Sequence, residues 1–379
     1  MPTGCHERTI LIAAVGTPST SPMPLSRRSV HAHVRRPVVA TAPRVALPPV
    51  LPLLLAVVPL LLLAGCKGST GPKERPRVVV LPATHPTGQQ LTVLAIAGRP
   101  HGVSVAPTGI FYVSQIDNAS VTKGELRGAG RDVLLGEAAV GTSPAHVAVN
   151  ATATNAYTTD QGSGTLSIID VAQNRRRASL QLQSGGFNLL AAPNGRHVYA
   201  TTASGTLVVI ATTATTESIV ATLNVGGAAN GLALDVANER LYVSSISAGT
   251  VTTIDTRTNA IVRTTTVGGR PQRLALTRDG TTLYIANEDL GLQRLTLATG
   301  RLTASSNVAR GVVGLALTPD GQQLYVTNPP AGRVEVVDVA SGAVVQTITA
   351  AIRPRNVTFD ARGTTALITD EANQLVLVR

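Results

Sequence analysis

Gly314-Leu315-Ala316-Leu317-Thr318-Pro319-Asp320-Gly321, then Leu324-Tyr325-Val326-Thr327-Asn328, Val334-Glu335-Val336-Val337-Asp338, Ser341-Gly342 and Val344-Val345-Gln346-Thr347-Ile348, is the stretch whose reading decides the fold. It holds four short runs rich in Val, Ile, Thr and Tyr, separated by turn residues. Side chains that are β-branched or aromatic pack well on a pleated surface, so such runs favour strands. Pro-Asp-Gly between the first two is a tight-turn signature, because Pro presets one φ and Gly accepts a positive one.

Outward from this stretch the same plan recurs. Every tyrosine of the chain falls on one ladder: Tyr112, Tyr157, Tyr199, Tyr242, Tyr284 and Tyr325, at gaps of 45, 42, 43, 42 and 41, with Ile368 continuing it 43 residues later. Pro193-Asn194-Gly195 and Arg278-Asp279-Gly280 are equivalent turns. No segment after residue 90 has the 3.6-residue apolar period of a long helix. A four-stranded antiparallel sheet with two apolar faces cannot bury both alone. Sheets packed face to face around an axis bury each against its neighbours, which gives a β-propeller.

The blade number follows from the ends. Seven units begin near residues 100, 144, 186, 229, 271, 312 and 354, and the last holds only three runs, at 357–359, 366–369 and 374–378. A spare run, Leu91-Thr92-Val93-Leu94-Ala95-Ile96, precedes unit one. Used as the missing fourth strand it closes the ring and removes an exposed edge. The expected fold is all-β, a seven-bladed propeller over residues 89–379 with its N-terminal strand closing the last blade.

Tyr325-Val326-Thr327-Asn328 is a literal YVTN, and the tetrapeptide drifts to Tyr112-Val113-Ser114-Gln115, Tyr242-Val243-Ser244-Ser245 and Tyr284-Ile285-Ala286-Asn287 elsewhere. With the period and the turns, this resembles the YVTN-type repeats of surface-layer and YncE-like exported propellers, over roughly residues 91–379. The resemblance implies binding at one loop-rich face. Some YncE-like propellers bind DNA, and some lactone-hydrolysing propellers share the repeat plan.

The N-terminal part has a different character. Residues 50–63, VLPLLLAVVPLLLL, are uncharged and apolar, Arg35, Arg36 and Arg44 precede them, and Leu63-Ala64-Gly65-Cys66 follows. A basic region, a short apolar region and small residues have the layout of a secretory signal peptide. Leu-Ala-Gly-Cys resembles the bacterial lipobox, which implies cleavage before Cys66, lipidation of its thiol and attachment to a membrane. The uncharged stretch from Val45 is long enough to span a bilayer as a helix, but Pro48, Pro49, Pro52 and Pro59 interrupt it. Ser26-Arg27-Arg28 loosely resembles a twin-arginine export motif but lies far upstream, and the first 30 or so residues read as an upstream start site. The expected division is an extension and signal peptide at 1–65, a tether at 66–88 and the propeller beyond. Of the two cysteines, Cys5 and Cys66, processing would leave one, so no intramolecular disulfide is expected.

Charge narrows the partners. The formal net charge is +11, but residues 1–65 carry +5 and residues 66–80 carry +3, leaving 22 basic and 19 acidic residues from 81 onward. A strongly basic body, the footprint of a nucleic-acid binder, is absent. All six tyrosines are used by the repeat and Trp is missing, so Phe187 is the sole aromatic expected at the rim. Gly and Pro together make 58 residues, above the usual share yet short of collagen-like or disordered compositions. The absence of Trp also excludes a Trp-dependent repeat such as WD40.

Propeller geometry places the loop entering each innermost strand and the loop between strands two and three on one face. The entering loops supply Arg99, His101, His146, Phe187, Asn188, Asn230, Gln272, Arg273, Arg310, Arg355 and Asn356, and the second–third loops supply Gln161, Glu288, Asp289, Asp370 and Glu371, among others. The candidate ligand-binding rim is Arg99, His101, His146, Asn188, Asn230, Gln272, Arg273, Glu288, Arg310, Arg355 and Asn356. Asp170, Asp255 and Asp338 recur at strand ends and read as turn caps. His101 and His146 occupy neighbouring units one residue out of step, but two histidines with no third ligand do not make a metal site.

No nucleophile elbow, zinc-helix, phosphate-loop, Cys-x-x-Cys or calcium-loop motif occurs. No cofactor and no catalytic residue is assigned. The expectation is a monomeric, exported, lipid-anchored binding scaffold whose partner is a protein or small molecule. A lactonase-like hydrolase, using Arg99, His101, His146, Glu288 and Arg355, and a DNA-binding propeller, using Arg270, Arg273, Arg310, Arg353 and Arg355, are the alternatives.

Overall fold

The computed structural model describes residues 84–305 and 307–379. All lie in the second of two compact units, Arg75–Arg379. The apolar stretch, the Leu-Ala-Gly-Cys sequence and most of the tether segment fall outside the described residues. Among the described residues no helix is long and apolar enough to cross a membrane.

The described strands form seven four-stranded antiparallel sheets. Blade one illustrates the plan: Pro100–Val105 innermost, then Ile110–Gln115, Ser120–Glu125 and Val133–Ala139 outermost. The innermost strands of blades two to seven are Pro144–Val149, Gly186–Ala191, Ala229–Asp235, Pro271–Leu276, Gly314–Leu317 and Pro354–Phe359. Blade seven takes its fourth strand from the N-terminal side: Leu91–Ala95 pairs antiparallel with Gln374–Val378, Leu91 opposite Val378 and Ala95 opposite Gln374.

Burial follows the position of each strand. The second strand of blade two, Asn155–Asp160, is buried at every residue, while the outermost, Arg175–Gln181, is exposed at nearly all. A middle strand has a neighbouring blade on each face, so its polar–apolar alternation is lost. Seven apolar clusters result, each shared by two blades. Tyr112, Val121, Val147 and Ile169 join blades one and two. Tyr325, Val334, Val357 and Ile368 join six and seven. Ile96, Val103, Phe111, Leu367 and Leu377 join seven and one, which closes the ring.

The turns behave as their residues dictate. Gly321 sits at φ 75° after Pro319-Asp320. Asp170, Asp255 and Asp338 each accept the backbone N–H three residues on, from Gln173, Thr258 and Ser341. Residues before the seam strand are held against the propeller: the Thr84 N–H donates to Arg362 O at 2.9 Å, and His85 Nδ1 lies 2.6 Å from Asp320 Oδ2.

Candidate functional site

Six of the seven innermost strands, all but that of blade six, begin with a register shift against their neighbour, seen between Pro100 and Val103, Pro144 and His146, Gly186 and Asn188, Ala229 and Leu232, Pro271 and Leu274, and Pro354 and Asn356. A bulge re-aims side chains locally. Here successive residues form two rings around the axis. The outer ring takes one residue from every blade: His101, Ala145, Phe187, Asn230, Gln272, Val313 and Arg355. With Gln161, Ile246 and Arg273 these line a recess of about 220 Å³ at the loop-rich face. One residue further along come Gly102, His146, Asn188, Gly231, Arg273, Gly314 and Asn356. The four larger ones line a second recess of about 250 Å³ in the channel, floored by Val103, Leu189, Leu232 and Leu315 among others. Arg273 borders both.

The glycines of the second ring are required by close approach rather than by φ. A Cβ at Gly102 would stand 2.7 Å from the His146 Cα, and one at Gly314 would meet the Arg355 carbonyl oxygen at 2.5 Å. Buried hydroxyls lock the bulges and tie each to the next blade. Ser244 Oγ accepts the Gly231 N–H at 2.7 Å and donates to Gln272 O at 2.6 Å. Thr369 Oγ1 accepts the Asn356 N–H at 3.0 Å and donates to His101 O at 2.8 Å. Ser114, Thr201 and Thr327 repeat the arrangement. The rings therefore sit on a rigid frame.

The rim carries a chain of polar contacts. Asn230 Nδ2 donates to Gln272 Oε1 at 2.7 Å, and Gln272 Nε2 donates to Glu288 Oε2 at 2.9 Å. Arg270 pairs with Glu288 at 3.1 Å and with Asp289 at 3.0 Å. Glu371 is the other acidic centre, 3.2 Å from Arg353, 3.9 Å from Arg355 and 4.0 Å from His101 Nε2. Its side chain is 8% exposed.

Both histidines are held neutral. His101 Nδ1 donates to Ala145 O at 2.6 Å, and burial, reinforced by Arg355, pushes its pKa down to about 3. In the second ring Asn356 Nδ2 donates to His146 Nε2 at 2.7 Å, and burial beside Arg273 holds the His146 pKa well below the usual value. The same burial lowers Arg273 to about 9, with Arg355 adding repulsion.

Of the expected rim residues, His101, Asn230, Gln272, Arg273 and Arg355 meet in the outer recess. His146, Asn188 and Asn356 join Arg273 in the channel, and Glu288 reaches the rim through Gln272. Arg99 and Arg310 line neither recess. Arg99 pairs with Asp117 at 2.8 Å on the surface, and Arg310 is exposed, its carbonyl accepting from Asn328 Nδ2. The one-residue offset between His101 and His146 is the offset between the rings, so their nitrogens serve different partners. Among the described residues no group of three or more His, Cys, Asp or Glu could hold a metal ion.

Glu371 and the apolar lining residues Ala145, Ile246 and Val313 were not among the expected rim residues. Glu371 stands at the repeat position of Glu288, each following the last residue of a second strand, and that equivalence is a signal the sequence does hold.

No family model matches the sequence, and no curated protein matches it by sequence. Solved structures resemble it in fold. Kuenenia stuttgartiensis hydrazine synthase matches with a TM-score of 0.65 at 15% identity, over 74% of this chain and 96% of that one. The Myceliophteria thermophila Cps50 (Swd1) β-propeller domain matches with a TM-score of 0.63 at 12% identity, over 76% and 99%. Together with the seven sheets, these likenesses show a seven-bladed β-propeller.

Proposed function

We propose that this protein is an exported, lipid-anchored binding scaffold of the YncE-like kind that receives a small molecule or partner segment at its loop-rich face. The observation that carries the reading is the outer recess, to whose ring every innermost strand contributes one residue and no two strands the same one. Seven rigidly held strands thus present seven different groups to one point, and preorganisation lowers the entropic cost of binding. The layout of residues 50–66 supports export and attachment through Cys66.

Binding is favoured over hydrolysis by the histidines. A general base works best with a pKa near the operating pH. His101 lies far below it and has its Nδ1 proton committed to Ala145 O. DNA binding is disfavoured because Arg270 and Arg353 are engaged by acids and Arg273 lies inside the channel.

Native mass spectrometry of the protein, incubated with a small-molecule extract of its own cells, tests the recess. Wild type is expected to retain a ligand mass that the double variant Asn230→Ala, Gln272→Ala loses. No retained mass, or one that the variant keeps, refutes the reading. For the anchor, labelled palmitate should be incorporated by wild type and not by Cys66→Ala.

A further inference from the structure

The acids around the channel mouth are already shared among arginines. Asp117 serves Arg99, Glu288 and Asp289 serve Arg270, and Glu371 serves Arg353 with Arg355 beside it. Among the described residues Arg273 has no carboxylate within 4 Å and no hydrogen-bond acceptor, yet it stands in the channel wall bordering both recesses. Its surroundings supply donors. Asn188 and Asn356 each spend their side-chain oxygen on the following backbone N–H, Leu189 at 2.8 Å and Val357 at 2.9 Å, which leaves the amide nitrogens toward the channel. Asn356 Nδ2 occupies the lone pair of His146 Nε2, so the proton of that ring sits on Nδ1, which has no partner. A half-buried cation in a channel wall, ringed by donors and lacking an acceptor, is costly to keep unless something negative joins it.

We infer that the channel takes the oxyanion of a small molecule, a carboxylate or phosphate group, on Arg273, with Arg355 and the Asn188 amide completing the cradle. Arg guanidinium matches both groups with parallel N–H donors. The two recesses that Arg273 borders, about 220 Å³ with Arg355 and about 250 Å³ with Asn188, are each below the roughly 300–1,000 Å³ of drug-sized pockets, so the molecule is small. A polyanion such as DNA would instead engage the outward Arg310 and Arg353. This inference rests on the binding reading above and names the chemical class of its ligand.

Thermal melting of the purified protein with inorganic phosphate and, separately, malonate, at constant ionic strength against chloride, tests it. At least one oxyanion should give a saturable rise on the order of 2–4 °C over chloride. Arg273→Met should abolish the rise and melt higher than wild type without oxyanion, since it removes a half-buried charge that no acid compensates. Exposed Arg310→Gln should change neither.

The inference is overturned if neither anion exceeds chloride, or if Arg273→Met responds like wild type. It is also overturned if Arg273→Met and Arg273→Gln both melt lower in chloride, which makes the arginine structural. The two readings fail separately. A ligand mass retained equally by wild type and Arg273→Met sinks the oxyanion and leaves the recess. An oxyanion response with no retained ligand sinks the recess reading and leaves the anion site.

Discussion

The tyrosine ladder and the outer ring of the recess occupy comparable places, one residue per blade in each, yet their sequences behave oppositely. Six of the seven ladder positions are tyrosine and the seventh is Ile368. The seven ring positions hold His101, Ala145, Phe187, Asn230, Gln272, Val313 and Arg355, with no residue repeated. A ladder residue meets the same environment seven times, between its own sheet and the next, so one solution serves every blade. A ring residue shares a single space with six others, so a repeated residue would fill that space with seven copies of itself. Repetition marks packing here, and its failure marks the recess.

Truncation on the ladder should give the largest effect. Tyr325 is fully buried and meets Phe359 edge-on, with centroids 5.0 Å apart at 87°. Tyr325→Ala should cost about 3–5 kcal/mol, the range for deleting a large buried aromatic. Chemical denaturation measures it, and a loss under 1 kcal/mol would mean that the blade six–seven interface is not packed as described.

Acid should act through the two rings rather than the ladder. The depressed pKa of His101 means that the unfolded chain binds more protons between pH 6.5 and about 3. Stability therefore declines as pH falls below 6.5, by about 1.4 kcal/mol per unit for that group, or about 2 kcal/mol by pH 5. His146 acts with the same sign. Asp160 opposes them, because burial raises its pKa to about 6 and its folded form takes up a proton first. Burial sets the sign at His101, Arg355, Arg273 and Arg99 add to it, and Glu371 stands 4.0 Å away. Melts at pH 7, 6 and 5 should show a net loss that His101→Gln reduces. A loss unchanged in that variant would place the acid sensitivity elsewhere.

Within the ladder the hydroxyls differ. Tyr112 Oη donates to Asn174 Oδ1 at 2.9 Å, crossing from blade one to blade two. Tyr325 Oη is buried with no partner among the described residues. Tyr112→Phe should cost about 1 kcal/mol and Tyr325→Phe should be neutral or stabilising. Equal changes in the two variants would show that the bond from Tyr112 to Asn174 contributes nothing of its own.

The fold was legible because its signals are periodic. The tyrosine spacing, the turn at Pro319-Asp320-Gly321 and the three-run last unit led to seven blades and a seam, and Leu91–Ala95 does pair with Gln374–Val378. The rim was legible only as a set. Loop positions could be assigned to one face, but the bulge found at six of the seven entering segments, which sets the two rings apart, has no composition of its own. Sequence therefore could not separate His101 from His146 by depth. Nor could it show that Arg99 turns out to Asp117 while Arg273 turns in. Those choices depend on which neighbouring loop offers an acid, and that acid stands 18 residues along the chain for Arg99 and 19 for Arg270.

Phe187 offers the same truncation as Tyr325 in the opposite setting. It is half-buried, lines the outer recess and lies between Gly186, at the start of the strand, and Asn188. Its ring has a cavity on one side, so part of its surface has no packing partner to lose. Phe187→Ala should cost under about 1 kcal/mol while enlarging the recess and removing its one aromatic wall. Retention of a ligand mass should fall with stability nearly unchanged, the reverse of Tyr325→Ala, where any loss of binding should track loss of fold. If Phe187→Ala instead destabilises as strongly as Tyr325→Ala, the outer ring is part of the core, and its sequence variety reflects packing rather than recognition.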